Sequence, residues 1–159
     1  MMPPLDFNEV PLFSGVNPDG MKLLLERAQH STVPAGTVIV KEGELGNKLY
    51  VVESGNVRVC KNLGLSNEVE LAKMGRCDFF GEMCILETLP RAASVVALTE
   101  ATLYAIPSRA FADLFDQQAR QHGILVLNLA RDLSRRLRNL GKMFAASMEN
   151  RYVIDISKA

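Results

Sequence analysis

Three textures of hydrophobic and polar positions follow one another along the chain, each predicting its own kind of element. After Asn17-Pro18, which supplies a side-chain cap and a first-turn proline, Met21, Leu24, Leu25 and Ala28 recur at helical spacing, so a short packing helix is predicted. From Val33 to Ile106 the chain turns to short β-branched runs broken by Gly36, Gly43, Gly46, Gly55, Gly64 and Gly75. Alternation is plain in Asn56-Val57-Arg58-Val59 and in Glu68-Val69-Glu70-Leu71. Short strands with frequent turns mean a sandwich or a barrel, and Asn62 to Asn67 reads as a hairpin tip. After Pro107, Ser108 is placed to cap a short helix through Phe111, Leu114 and Phe115. A longer helical pattern then runs from Gln117 or Gln121 to about Glu149, with Gly123 and Gly141 as its weak points.

Within that long helix, Val126, Ala130, Leu133, Leu137, Leu140 and Phe144 are spaced four, three, four, three and four apart. This is the spacing of a coiled-coil seam and predicts a homodimer through residues 124–148; the alternative is that the stripe packs back on the β region. Arg131, Arg135, Arg138 and Lys142 form a basic stripe, either a solvated face or a patch for an acidic protein or a nucleic acid. The chain divides into an N-terminal helical segment 1–32, a β region 33–107, C-terminal helices 108–150 and a tail 151–159, one domain in all. The tail is too short for a domain and suggests no role.

At 159 residues the chain is long enough for a single apolar core without metal or disulfide staples, and with 48% hydrophobic residues disorder is not expected. Its 18 basic and 18 acidic residues cancel, which removes any general electrostatic reason to hold nucleic acid or an anionic membrane. Cys60, Cys77 and Cys84 are odd in number and contain no Cys-x-x-Cys pair, which speaks for a reducing compartment and against a disulfide framework or zinc site. The first residues carry neither a basic region nor an apolar run of signal-peptide length, and no segment reaches the ~20 apolar residues of a membrane span. A cytoplasmic protein without membrane contact is the expectation.

The candidate chemistry is concentrated in Phe79 to Val95, FFGEMCILETLPRAASV, where Glu82 and Arg91 stand nine residues apart among small and apolar residues. Gly81 to Glu87, between a turn at Gly75 to Asp78 and Pro90, is predicted to form one or two helical turns whose first N–H groups can face an anion. Gly81 lets a ligand approach the backbone, while Ala92, Ala93 and Ser94 keep the far wall small. Arg91 supplies a fixed charge and several donors for a phosphate. Glu82 would repel that phosphate but accepts well from a sugar hydroxyl. A ribose with a singly charged phosphate beside it satisfies both. An ordinary Glu82–Arg91 salt bridge is the plain alternative.

The string FGE, seven residues, then PRAASV resembles the phosphate-binding cassette of the cyclic-nucleotide-binding domain family, which includes cAMP-dependent kinase regulatory subunits and bacterial catabolite activators. Val10 to Gly15, Pro34-Ala35-Gly36, Glu42-Gly43, Leu49 to Val52 and Ser54 to Val57 are similar to the family's entry, so the likeness covers roughly residues 9 to 145. The resemblance implies a mainly β fold with flanking helices: an eight-stranded antiparallel double-stranded β-helix, or jelly-roll barrel, with a short N-terminal helix, a cassette helix and a long C-terminal helix. It further implies that Glu82 holds the ribose 2′-hydroxyl, that Arg91 binds the phosphate oxygens, and that backbone N–H groups near Met83, Cys84 and Ala92 complete the cage. Val59 and Leu71 would wall the base, and Ser94 would reach phosphate or base. Ala92 stands where cGMP-selective relatives carry a threonine, so cAMP is favoured and cGMP is the alternative; no cofactor is implied. Cys84, where kinase relatives have alanine, is either a thiol with a lowered pKa or a small buried filler.

In this family the long helix can cap the base, yet Asn139-Leu140-Gly141 stands where the catabolite activator presents Thr-Ser; Asn139, Arg136 or Met143 are the candidates to replace it. Only ten residues follow Glu149, fewer than a helix-turn-helix requires, so no DNA-binding unit is expected within these residues and the downstream partner is left open. The leading function is a cyclic-nucleotide sensor without catalysis; the alternative is a dimeric scaffold whose pocket is vestigial or holds another anion. A cyclic dinucleotide would want a second basic residue beyond Arg91. A cupin-like enzyme is disfavoured because His30 and His122, the only histidines, are far apart, leaving no metal-ligand cluster.

Overall fold

The computed structural model describes residues 4–148; the predicted tail lies outside them. Eight strands form two four-stranded antiparallel sheets. In the first, β1 (Gln29–Val33), β8 (Ala101–Pro107), β3 (Lys48–Ser54) and β6 (Phe79–Phe80) lie in that order. In the second, the order is β2 (Val38–Val40), β7 (Ser94–Ala97), β4 (Val57–Lys61) and β5 (Val69–Met74). This is the expected jelly-roll arrangement, except that the barrel is not closed: the hydrogen-bonded ladders stay two sheets. The strands begin at Gln29, ahead of the Val33 boundary, because β1 is largely exposed and its polar run Gln29 to Thr32 carries no apolar alternation.

The pleat of β3 ties two apolar layers together. Leu49 and Val51 point to one face, where Phe13, Leu24, Phe111, Leu114, Leu125 and Leu129 of the helical layer bury them. Tyr50 and Val52 point to the other, into a core with Phe80, Val95 and Leu103 between the sheets. Strand β6 repeats the division: Phe79 pairs with Val51 and faces the helices, while Phe80 pairs with Tyr50 and faces the sheets. The Tyr50 and Phe80 rings stack 5.0 Å apart at 10°. The segment that follows Phe80 is thus hung from the seam between both cores.

Helix α1 (Pro18–Glu26) starts as expected, the Asn17 side chain accepting from the Gly20 N–H at 2.8 Å. The four-residue α2 (Met83–Leu86) is shorter than two turns. The N-cap position of helix α3 (Ser108–Gln117) falls on Pro107, with no side-chain cap bond; Ser108 is already the first helical residue, and its N–H donates to the Asn47 carbonyl at 2.7 Å. Gln118, with φ −145 and ψ 64, breaks the chain before α4 (Ala119–Met148).

Helix α4 rests on the body through Leu125, Leu129 and Asp132. The predicted seam lies on another face: Leu133 is partly buried against the core, but Leu137, Leu140 and Phe144 are 71%, 57% and 62% exposed. From Leu137 onward nearly every side chain is exposed, so about 18 Å of helix carries an uncovered apolar stripe.

Candidate functional site

After Phe80 the backbone must turn sharply, and Gly81 does so at φ +80, a conformation costly for any other residue. Glu82 and α2 follow. On the return limb, Gly43 N–H donates to the Arg91 carbonyl at 2.9 Å and Arg91 N–H to the Glu44 carbonyl at 2.8 Å. Glu42 N–H donates to Ser94 Oγ at 3.0 Å, and Lys61 Nζ, ion-paired with Glu42, donates to the Ala92 carbonyl at 2.8 Å. These bonds fix the limb that carries Arg91 before any ligand arrives.

The Arg91 guanidinium donates from Nη1 to the Gly81 carbonyl at 3.2 Å and from Nη2 to the Lys48 carbonyl at 2.8 Å. A Cβ on Gly81 would stand 2.7 Å from Nη1, and one on Gly46 would overlap the guanidinium. Gly81 therefore makes room for Arg91 as well as for the turn. Among the described residues no carboxylate pairs with Arg91, so its charge is braced by carbonyl dipoles and left uncompensated beside the cleft.

Glu82, 7% exposed, pairs instead with Arg136 of α4, whose Nη1 donates to Oε1 at 3.2 Å. Arg136 Nη2 donates to the Phe79 carbonyl at 3.2 Å, and its guanidinium lies 5.2 Å from the centre of the Phe79 ring. Its Nε stands 2.6 Å from Asp132 Oδ2, a charge contact without hydrogen-bond alignment. Asp132 Oδ1 accepts from Arg135 at 2.5 Å. One arginine thus joins the long helix to the buried carboxylate of the cleft. The plain Glu82–Arg91 salt bridge is not formed.

Val59, Gly81, Glu82, Met83, Cys84, Arg91, Ala92 and Ala93 line one cleft of about 230 Å³. Its further walls are Val40, Met74, Phe80, Leu89 and Val95, with Arg136 at one side. Two expected residues are elsewhere. Leu71 is 45% exposed and off the lining: the register passes from Val59–Ala72 to Cys60–Glu70, so Leu71 is the extra residue of a bulge, without a partner on β4. Ser94 is buried and its hydroxyl is engaged by the Glu42 N–H, away from the cleft lining. Of the expected cage donors, the Cys84 N–H bonds the Gly81 carbonyl at 3.3 Å.

Burial pushes the Cys84 thiol above its ordinary value, with Arg91 opposing, so the filler reading fits better than a lowered pKa. Burial likewise raises the Tyr50 phenol. Arg136 was one of three indistinguishable candidates on α4; Asn139 and Met143 are exposed and off the cleft. The signal that singles it out is a second stripe, Leu125, Leu129, Asp132, Arg136, spaced four, three and four, which faces the body. Among the described residues no cluster of His, Cys, Asp and Glu is fit to hold a metal, and no helix is long and apolar enough to cross a membrane.

The family model for the cyclic nucleotide-binding domain matches residues 30–118, more than half of the chain. The chain belongs to this family. The domain is 37% identical over 128 residues to the cyclic AMP receptor protein of Thermus thermophilus, covering 80% of the chain and 57% of that relative. It is 38% identical over 103 residues to the cAMP-dependent protein kinase regulatory subunit of Pyricularia oryzae, covering 65% of the chain and 26% of that protein. Among solved structures, the catabolite activator protein of Thermus thermophilus superposes with a TM-score of 0.72 at 35% identity, over 87% of this chain and 64% of that one. The domain therefore spans 26% to 64% of the length of these three, whose names are a receptor, a kinase regulatory subunit and an activator.

Proposed function

We propose that the domain is a regulatory module that binds a cyclic nucleotide, cAMP in preference to cGMP, and signals through α4 without catalysing a reaction. The observation that carries this reading is the division of the two charges. Among the described residues Arg91 has no carboxylate partner, and it lines the cleft, while Glu82, the expected ribose hook, is engaged by α4 through Arg136. A cyclic phosphate on Arg91 would place a sugar hydroxyl near Glu82, in competition with Arg136 for the same carboxylate oxygens. A ligand shifts a helix only if it binds one helix position better than another, and this competition supplies such a difference. The named ligands of the relatives, cAMP in both, support the same class.

Preference for cAMP rests on Ala92, whose exposed methyl lines the cleft and offers guanine no hydrogen bond. Dimerisation through residues 124–148 is supported by the uncovered stripe of Leu137, Leu140 and Phe144. The cytoplasm, the compartment where three free thiols stay reduced, is the proposed location. The test of the central reading is calorimetric titration of nucleotide-stripped protein with cAMP and then cGMP. One saturable site per chain, tighter for cAMP, is expected. Tighter cGMP binding would move base selection away from Ala92, and binding of neither would favour the scaffold reading.

A further inference from the structure

Arg91 borders a second hollow of about 190 Å³, which shares Val40, Gly46 and Arg91 with the cleft but is otherwise lined from the β2–β3 connection and β3, by Lys41, Glu44, Asn47, Lys48 and Tyr50 among others. Its donors are largely unspent. Lys48 Nζ is taken by Gln29 Oε1 at 2.7 Å. Among the described residues, however, the Lys41 ammonium, the Tyr50 hydroxyl and the Asn47 side-chain amide have no hydrogen-bond or ion-pair partner. Arg91 gives only two of its N–H groups to carbonyls, and a guanidinium carries five. Stacking on Phe80 holds the Tyr50 ring in place, and burial keeps its phenol a neutral donor. Against two uncommitted cations the lining offers one acid, Glu44, which is exposed. Unpartnered donors with surplus positive charge around one polar concavity suit an anion with several acceptor oxygens.

We propose that this hollow is a second oxyanion subsite, in which Lys41, the Tyr50 hydroxyl and the free edge of Arg91 take one phosphate group. Free inorganic phosphate would supply it, and so would the second phosphate of a cyclic dinucleotide whose first phosphate occupies the cleft. The sequence disfavoured a dinucleotide for want of a second basic residue in the cassette; the fold brings Lys41 to Arg91 from outside it.

Amide NMR shifts over residues 41–50 test the subsite in the full chain, with inorganic phosphate and then cyclic di-AMP as probes at constant ionic strength. The Lys41 side chain is exposed and bonded to nothing described, so Lys41→Ala leaves the fold intact. Lys41→Ala is expected to weaken saturable binding of at least one probe about tenfold, and Tyr50→Phe to weaken it several-fold, with cAMP affinity of Lys41→Ala unchanged. Lys41-dependent phosphate binding assigns the subsite to a free anion; dependence seen only with cyclic di-AMP assigns it to a nucleotide's second phosphate. If Lys41→Ala alters neither titration, the subsite does not exist. The phosphate titration needs no nucleotide, so its outcome is separate from that of the cAMP titration.

Discussion

Arg91 shows how a single residue can be chemically committed by its surroundings. Two backbone carbonyls orient its guanidinium, and among the described residues no carboxylate pairs with it, which leaves its attraction for an incoming phosphate unspent. Arg91→Ala is expected to weaken cAMP binding by roughly 2 to 5 kcal/mol in calorimetry; an unchanged affinity would place any bound nucleotide elsewhere. At this scale much of the site was legible in the sequence. Glu82, Arg91 and the small residues around them lie in one short run, and local spacing is enough to bring such residues together. What was hidden depended on contacts distant in sequence. Nothing near Glu82 announces that Arg136, fifty-four positions later, will hold it. Leu71, which the resemblance put at the base wall, lies off the cleft lining because a bulge opposite Val59 and Cys60 leaves it without a partner, and no local sequence pattern announces that bulge.

At the scale of elements, α4 carries two stripes with different tasks. The stripe ending at Arg136 docks on the body, and the one through Leu137, Leu140 and Phe144 is left uncovered. Both were present in the sequence, but heptad spacing alone favours the more apolar one and overlooks a stripe containing Asp132 and Arg136. Leu137→Glu is expected to leave the fold intact, since Leu137 is 71% exposed, and to convert a dimer to monomers in sedimentation. A wild-type protein already monomeric would remove the seam from the account. Arg136→Leu tests the docking stripe: α4 amides should exchange faster in the ligand-free protein, and the change in exchange on adding cAMP should disappear. Undiminished coupling in that variant would show that the Arg136–Glu82 contact does not transmit the signal.

For the whole molecule, two surface carboxylates organise the β4–β5 hairpin: Glu68 bonds within it, and Glu42, through Lys61, ties it to the limb carrying Arg91. A hydrogen bond from Lys61, then the Asn62 N–H, holds Glu42 below the ordinary 4.5. The Gly64 N–H, then Arg58, does the same for Glu68. Carboxylates whose folded pKa is depressed contribute stability that is complete above the unfolded value and lost as pH falls through the folded one. His122, held below 6.5 by burial, has the same sign at higher pH, since folding disfavours its protonated form. Thermal melts should therefore show a first loss of stability below about pH 6.5 and a steeper one below about pH 4.5. Glu42→Gln has no charge to lose, so its melting temperature should be lower at neutral pH and fall less steeply in the acid range. An acid slope equal to that of the wild type would mean that Lys61 holds the Ala92 carbonyl without help from Glu42. The limb that presents Arg91 would then be fixed by Lys61 together with the backbone bonds to Gly43 and Glu44, without the Glu42 charge.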